Sequence, residues 1–288
     1  MTPTWQSADV PAPVPITPAG WVRVVFRGLT LGSITFGCLG ILLLVRLVER
    51  PFFGQRRPWT PFITQFVCRM AFVILGIRYR THGHLMRQPG AVVANHSSWL
   101  DIFTLNARKR IYFVSKSEVA DWPGIGWLAR ATGTVFITRQ MRDARAQQAV
   151  FEDRLHAGHK LLFFPEGTST DGLRVLPFKS TLFAAFFTEP LRHGSWIQPV
   201  TVVYSCPKRQ DPRFYGWWGD MEFGAHLLTV LAQHPQGAVD VTYHAPLRVA
   251  DFPDRKALAT ACEAVVRSTL PGTGKPAAVN VPQAAGGA

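Results

Sequence analysis

The chain has 288 residues, 47% of them hydrophobic, and 31 lysines and arginines against 18 acidic residues give it a net charge of +13. That length and apolar content provide for one large domain, or one domain with an accessory segment, and the charge suits an anionic partner: a nucleic acid, an acidic substrate or a negatively charged membrane leaflet. Four scattered cysteines, Cys38, Cys68, Cys206 and Cys262, exclude a zinc-ligand spacing and a short disulfide framework, and read as reduced thiols in a chain facing the cytosol.

Residues 1–20, MTPTWQSADVPAPVPITPAG, are proline-rich and lack periodicity, which predicts a disordered leader. From Leu29 to Val45 there is no charge, and arginines 23, 27, 46 and 50 bracket the run, which is at the short limit for crossing a hydrocarbon layer. A cleaved signal peptide fits poorly, since the leader is long and no A-x-A site follows; the bulky Phe36 also argues against lipoprotein cleavage before Cys38. The reading is a retained anchor over 21–76, completed by a second apolar segment, Phe62 to Gly76, that Arg69 interrupts. Basic residues on both sides of the first run set no orientation for a single span, so a hairpin or interfacial pair that leaves the rest of the chain on the cytoplasmic side fits better.

From Ile77 the pattern alternates short β-rich runs with longer helical ones, over a domain expected to occupy 77–270. Strands are predicted at Ile77–Thr81, Ala91–Ala94, Ile111–Val114, Thr134–Ile137, Leu161–Phe164, Ile197–Tyr204 and Val239–His244. Helices are predicted near Ser98–Asn106, Ile125–Ala131, Arg142–Ala157, Thr181–Thr188, Met221–Gln233 and Arg255–Leu270. The fold class is therefore α/β, a central, mostly parallel sheet flanked by helices. The tail, 271–288, is low in complexity and expected to be disordered.

Chemistry gathers where strands end. After Val92-Val93 comes Asn95-His96-Ser97-Ser98-Trp99-Leu100-Asp101. Inside one regular helix, His96 and Asp101 would face about 140° apart and never touch. If the helix begins near Ser98, Asp101 can reach back to a histidine in the preceding loop, fix its tautomer and leave the other nitrogen free as a general base. The same spacing, Ser98-x-x-Asp101, equally describes a helix capping box, and spacing alone leaves both readings standing. A second strand end carries Phe164-Pro165-Glu166-Gly167-Thr168-Ser169-Thr170, whose hydroxyls and amides suit an oxyanion or polar headgroup, or form an ordinary turn. A third places Arg139 just past Gly133-Thr134-Val135-Phe136-Ile137, as an anion ligand or a solvated side chain. The common serine hydrolase, zinc protease and nucleotide-binding motifs are absent from the sequence, as are histidine clusters with metal spacing.

NHSSWLD, GTVFITR, FPEGTST and the strand containing Gln198-Pro199-Val200, in that order, resemble the glycerolipid and lysophospholipid acyltransferase family. The resemblance, which covers roughly Ile77 to Tyr204, implies that His96 is a base that deprotonates a lyso-lipid hydroxyl and that Asp101 orients it. The hydroxyl then attacks the thioester of acyl-CoA or an acyl carrier protein with no covalent enzyme intermediate, no cofactor beyond that co-substrate and no metal. It further implies support from Asn95, an acceptor site shaped by Glu166 and Gly167 with Thr168 and Ser169, and a headgroup contact from Arg139. Pro199 and Val200 would underlie the acyl-donor side.

The partners implied are a lyso-lipid, the acyl carrier and an anionic membrane surface, with no nucleic acid, at a bacterial inner membrane with the catalytic domain in the cytoplasm. Members that acylate lysophosphatidic acid commonly carry arginine where this chain has Ser169, and a glycine after the lysine where it has Lys179-Ser180. FPEGTSTDG, PFKSTLF and FYGWWGDM look more like the bacterial branch that makes ornithine lipid by acylating a 3-hydroxyacyl chain, with lysophosphatidic acid as the alternative acceptor. A non-catalytic lipid-binding protein is the reading from a different class, and a nucleic-acid binder is more distant still.

Overall fold

The computed structural model describes residues 5–7, 11, 15–137, 144–189 and 191–271, with the backbone alone for 144–147. Arg139, the start of the helix expected from Arg142, the tail beyond 271 and half of the expected leader lie outside the described residues.

Eight strands form one sheet: β1 (Arg78–His82), β2 (Gly90–Ala94), β3 (Tyr112–Lys116), β4 (Val135–Ile137), β5 (Leu161–Phe163), β6 (Trp196–Ser205), β7 (Ala238–Tyr243) and β8 (Leu247–Arg248). Their order is β1-β7-β6-β2-β5-β3-β4, with β8 also on β6. The pairings of β6 with β7 and with β8 are antiparallel and the other described pairings parallel, so the expected mostly parallel sheet is present. β2, Gly-Ala-Val-Val-Ala, is buried at every position, as a parallel central strand with both faces covered must be.

Because side chains alternate along a strand, β2 feeds two cores. Val92 and Ala94 join Phe72, Leu75, Leu100 and Val230 on one face, while Ala91 and Val93 join Phe183, Phe186, Leu258 and Val266 on the other. The first core lies under α2 (Thr60–Leu75), α3 (Asp101–Asn106) and α7 (Phe223–Ala232). The second lies under α5 (Ala144–His156) and α8 (Arg255–Arg267), with α4 (Ile125–Thr132) and the short α6 (Leu191–Gly194) completing the helices that follow α2. Gly90 opens β2 at φ 139°, and a Cβ there would lie 1.9 Å from the carbonyl oxygen of Trp196, its register partner on β6. Only glycine lets those two backbones start their ladder.

The stretch expected as a helix at Thr181–Thr188 forms a 3-10 helix, Ser180–Phe187. Its three-residue repeat stacks Phe183 and Phe186 on one side, and both rings pack against Phe163, at centroid distances of 5.3 and 6.2 Å.

Helix α1 (Pro18–Phe53) is longer than the apolar run that announced it and begins inside the expected leader. Thr17 caps it by accepting from the Gly20 N–H at 3.1 Å, and Pro18 occupies the first turn, where a missing N–H costs nothing. Within the leader, Trp5 also packs on Trp218 at 6.1 Å, and the Gln6 amide donates to Asp220 at 2.7 Å. At its far end Glu49, fully buried, accepts from the backbone N–H groups of Trp59 and Thr60, from the Thr60 hydroxyl and from Arg46. A carboxylate at the start of α2 satisfies that helix's free amides and locks α1 and α2 as a hairpin.

Both ends of the hairpin are tied to the α/β domain. Arg23 and Arg27 donate to the last carbonyls of α7 at Leu231, Ala232 and Gln233, and Arg57 donates to Ala131 on α4. The outward face of α1, with Phe26, Leu29, Leu44, Leu47 and Phe52, is exposed. Among the described residues this is the one helix long and apolar enough to cross a membrane.

Candidate active site

The carboxyl ends of β2, β5 and β6 converge on residues 95–101. His96 and Asp101 meet there: Nδ1 of His96 lies 2.8 Å from Oδ2 of Asp101. The same Oδ2 accepts from the backbone N–H groups of Ser97 at 2.9 Å and Ser98 at 3.0 Å, and Oδ1 accepts from the Tyr204 hydroxyl at 2.8 Å. Two backbone N–H groups can only donate, so Oδ2 is an acceptor here, and the tautomer that suits this contact carries its N–H on Nδ1. Nε2 is left with its lone pair, on a side chain that keeps 21% exposure while Asp101 has 0%. Such an imidazole can accept a proton from a hydroxyl while the carboxylate balances the charge it gains.

The capping reading and the pair reading describe one and the same carboxylate. Trp99 and Leu100 form a turn, and Asp101 opens α3 while reaching back to the Ser97 and Ser98 amides. The His96 ring lies flat on Phe164, with centroids 4.0 Å apart and planes 14° apart, which fixes its second rotation.

The Asn95 side chain is engaged by backbone. Its amide donates to the Val202 carbonyl and accepts from the Val202 N–H, both at 2.8 Å, so it extends the β2–β6 ladder past Ala94 with a side chain in place of a backbone. Glu166, 1% exposed, is likewise engaged by backbone. It accepts from His96 N–H and from Leu176 N–H, each at 2.7 Å, and so clamps the histidine loop to the loop after β5. Thr170 adds a second tie, its N–H donating to the His96 carbonyl at 2.9 Å.

Gly167 takes φ 72°, and a Cβ there would lie 2.7 Å from the Lys179 ammonium, so this side chain crosses the glycine. Thr168 is partly exposed and Ser169 is buried. Pro199 and Val200 lie on β6 opposite Val93 and Ala94. Sequence reasoning missed Tyr204 and the stacking role of Phe164, neither of which any local spacing marks. Among the described residues no group of three or more His, Cys, Asp or Glu side chains is arranged to hold a metal ion.

Burial pushes the Glu166 carboxyl up to about 8, outweighing the two N–H groups that favour its ionised form. A carboxyl raised on folding contributes stability that is full below its ordinary value of 4.5 and is lost as pH climbs towards 8. Thermal unfolding across that range therefore shows wild type losing ground to Glu166→Gln as pH rises; parallel curves would contradict the assignment. The glutamine amide also leaves one N–H without an acceptor, a separate cost of about 1–3 kcal/mol at every pH.

Residues 76–203 match the family model described as Acyltransferase. The chain is 60% identical over 268 residues to the lyso-ornithine lipid O-acyltransferase of Rhodobacter capsulatus, covering 93% of this chain and 97% of that one. It is 42% identical over 114 residues to the 1-acyl-sn-glycerol-3-phosphate acyltransferase of Neisseria gonorrhoeae, covering 39% of this chain and 43% of that one. Among solved structures, the 1-acyl-sn-glycerophosphate acyltransferase PlsC of Thermotoga maritima shares the fold at TM-score 0.57 and 22% identity, over 86% of this chain and 94% of that one. Likeness of this extent defines the class as an α/β enzyme that transfers acyl groups. The chain belongs to the acyltransferase family.

Proposed function

We propose that the protein transfers a fatty acyl group from acyl carrier protein or CoA to the free hydroxyl of lyso-ornithine lipid. The observation that carries this reading is the 2.8 Å contact between His96 and Asp101, with Nε2 open on a half-buried ring. Nε2 takes the hydroxyl proton as the oxygen attacks the thioester carbonyl; the C–S bond breaks, the ester remains on the acceptor, and the proton leaves with the thiol. Attack by the acceptor itself needs no acyl-enzyme.

The acceptor is inferred from the Rhodobacter capsulatus relative, alike along nearly its whole length, and from Ser169, an uncharged side chain where the family resemblance leads one to expect arginine for a phosphate-bearing acceptor. A 1-acylglycerol-3-phosphate acceptor is the second reading, favoured by the local likeness to the Neisseria gonorrhoeae enzyme and by the Lys179 ammonium over Gly167.

In this reading the α1–α2 hairpin lies in the bilayer surface and does not carry the domain across. A helix of 36 residues spans about 54 Å, well over the roughly 30 Å hydrocarbon layer, and it is bound to the domain near both ends. Its exposed apolar face enters the inner membrane from the cytoplasmic side, where acyl thioesters are made, and the basic surface faces anionic lipid.

A panel of lyso-ornithine lipid and lysophosphatidic acid, each offered with acyl carrier protein and CoA thioesters, tests the acceptor by mass spectrometry of products. Lyso-ornithine lipid is expected to turn over at least tenfold faster than lysophosphatidic acid with the better donor. Faster turnover of lysophosphatidic acid would overturn the choice.

A further inference from the structure

We propose that Tyr204 is a positioning residue for the catalytic pair: its hydroxyl, delivered by β6 from 103 positions downstream, holds the far oxygen of Asp101 and so sets how that carboxylate grips His96. The inference rests on the reading of His96 as the base.

Oδ2 of Asp101 serves three N–H donors, whereas Oδ1 accepts from the Tyr204 hydroxyl. At 0% side-chain exposure, Asp101 is closed off from bulk solvent, so a donor to Oδ1 has to come from the protein. The direction of the bonds follows from the chemistry. A carboxylate only accepts, so Tyr204 donates its single proton to Asp101, and the Thr104 hydroxyl, 2.8 Å from the tyrosine oxygen, donates to Tyr204. Asp101 and Thr104 are three residues apart on α3 and present the same face to β6. The result is a chain of donors, Thr104 to Tyr204 to Asp101, ending on the oxygen pair that also receives the His96 proton, and each link polarises the next.

The ring has its own supports. Tyr215 packs at 5.5 Å from it, and the Tyr79 hydroxyl holds the Thr104 carbonyl at 2.9 Å. Titratable groups around the pair are then Tyr79, Tyr204 and Tyr215 on the β6 side and Glu166 beneath the His96 backbone. Burial and the Asp101 charge push the Tyr204 hydroxyl well above its ordinary value, so it keeps its proton.

Tyr204→Phe keeps the ring and removes the one donor. Full-length enzyme in lipid vesicles is expected to lose roughly 10- to 100-fold in kcat, the worth of a hydrogen bond to a charged group, with KM for the lyso-lipid unchanged because the Tyr204 hydroxyl acts through Asp101. A carboxylate relieved of a donor holds an imidazolium more tightly, so the acid limb of kcat/KM moves to higher pH. A kcat within twofold of wild type, or a loss with the acid limb unmoved, would overturn the inference. Should Tyr204→Phe fail to fold, Thr104→Val carries the test, with a smaller shift of the same limb in the same direction expected and no shift contradicting it. His96→Ala run in parallel separates the two readings. If it retains activity, the base assignment falls and this inference with it; if it is inactive while Tyr204→Phe behaves as wild type, this inference alone fails.

Discussion

His96→Ala is expected to remove acyl transfer almost completely, with a loss of about 10²–10⁴-fold, the range a positioned general base supplies. The protein should otherwise be intact. What His96 gives the fold passes through its backbone: its N–H donates to Glu166 and its carbonyl accepts from Thr170, and alanine keeps both. The imidazole itself contributes a stack on Phe164 and the contact with Asp101. A folded protein with a modestly lowered unfolding midpoint, and unchanged sedimentation with vesicles, beside lost ester formation, are the expected results; turnover near the wild-type rate would remove His96 from the mechanism.

Asp101→Ala should lose activity to a similar degree and should lose more stability than the histidine variant. Removing the carboxylate strands the Ser97 and Ser98 amides and the Tyr204 hydroxyl in a site without solvent. Each stranded donor costs about 1–3 kcal/mol, less than additively in one cluster, so a total of several kcal/mol is expected from denaturant unfolding. Asp101→Asn, with one oxygen left to accept, should fall between the two. Equal stability of His96→Ala and Asp101→Ala would contradict the four-donor geometry.

The contrast between these neighbours explains what the sequence could and could not tell. NHSSWLD was legible because its consequence is local: a five-residue offset fails inside a helix and succeeds across a helix start, and the downstream FPEG turn supplied context. Strand positions were legible for a similar reason, since buried parallel strands such as Ala-Val-Val-Ala and Leu-Leu-Phe are uninterrupted apolar runs.

The roles of Asn95 and Glu166 were not legible. Their partners are the backbone of Val202 on β6 and the backbone amides of His96 and Leu176, brought near only by the sheet order. Both side chains hold the histidine loop in place through backbone that lies far from them in sequence. The insertion of β7 between β1 and β6, antiparallel to the latter, is equally a tertiary fact. The helix expected at Thr181–Thr188 tightened to three residues per turn because two phenylalanines had to reach one side of the sheet together.

The central claim is direct attack by a lipid hydroxyl on an acyl thioester, with His96 as base. The measurement that tests it most directly is a single turnover of vesicle-bound enzyme with stoichiometric acyl thioester, read by mass spectrometry of both lipid and intact protein. With lyso-ornithine lipid present, the acyl mass should appear as an ester on its 3-hydroxyl; with it absent, the protein mass should stay unchanged. An acylated protein in the absence of acceptor, or no ester in its presence, would contradict the account.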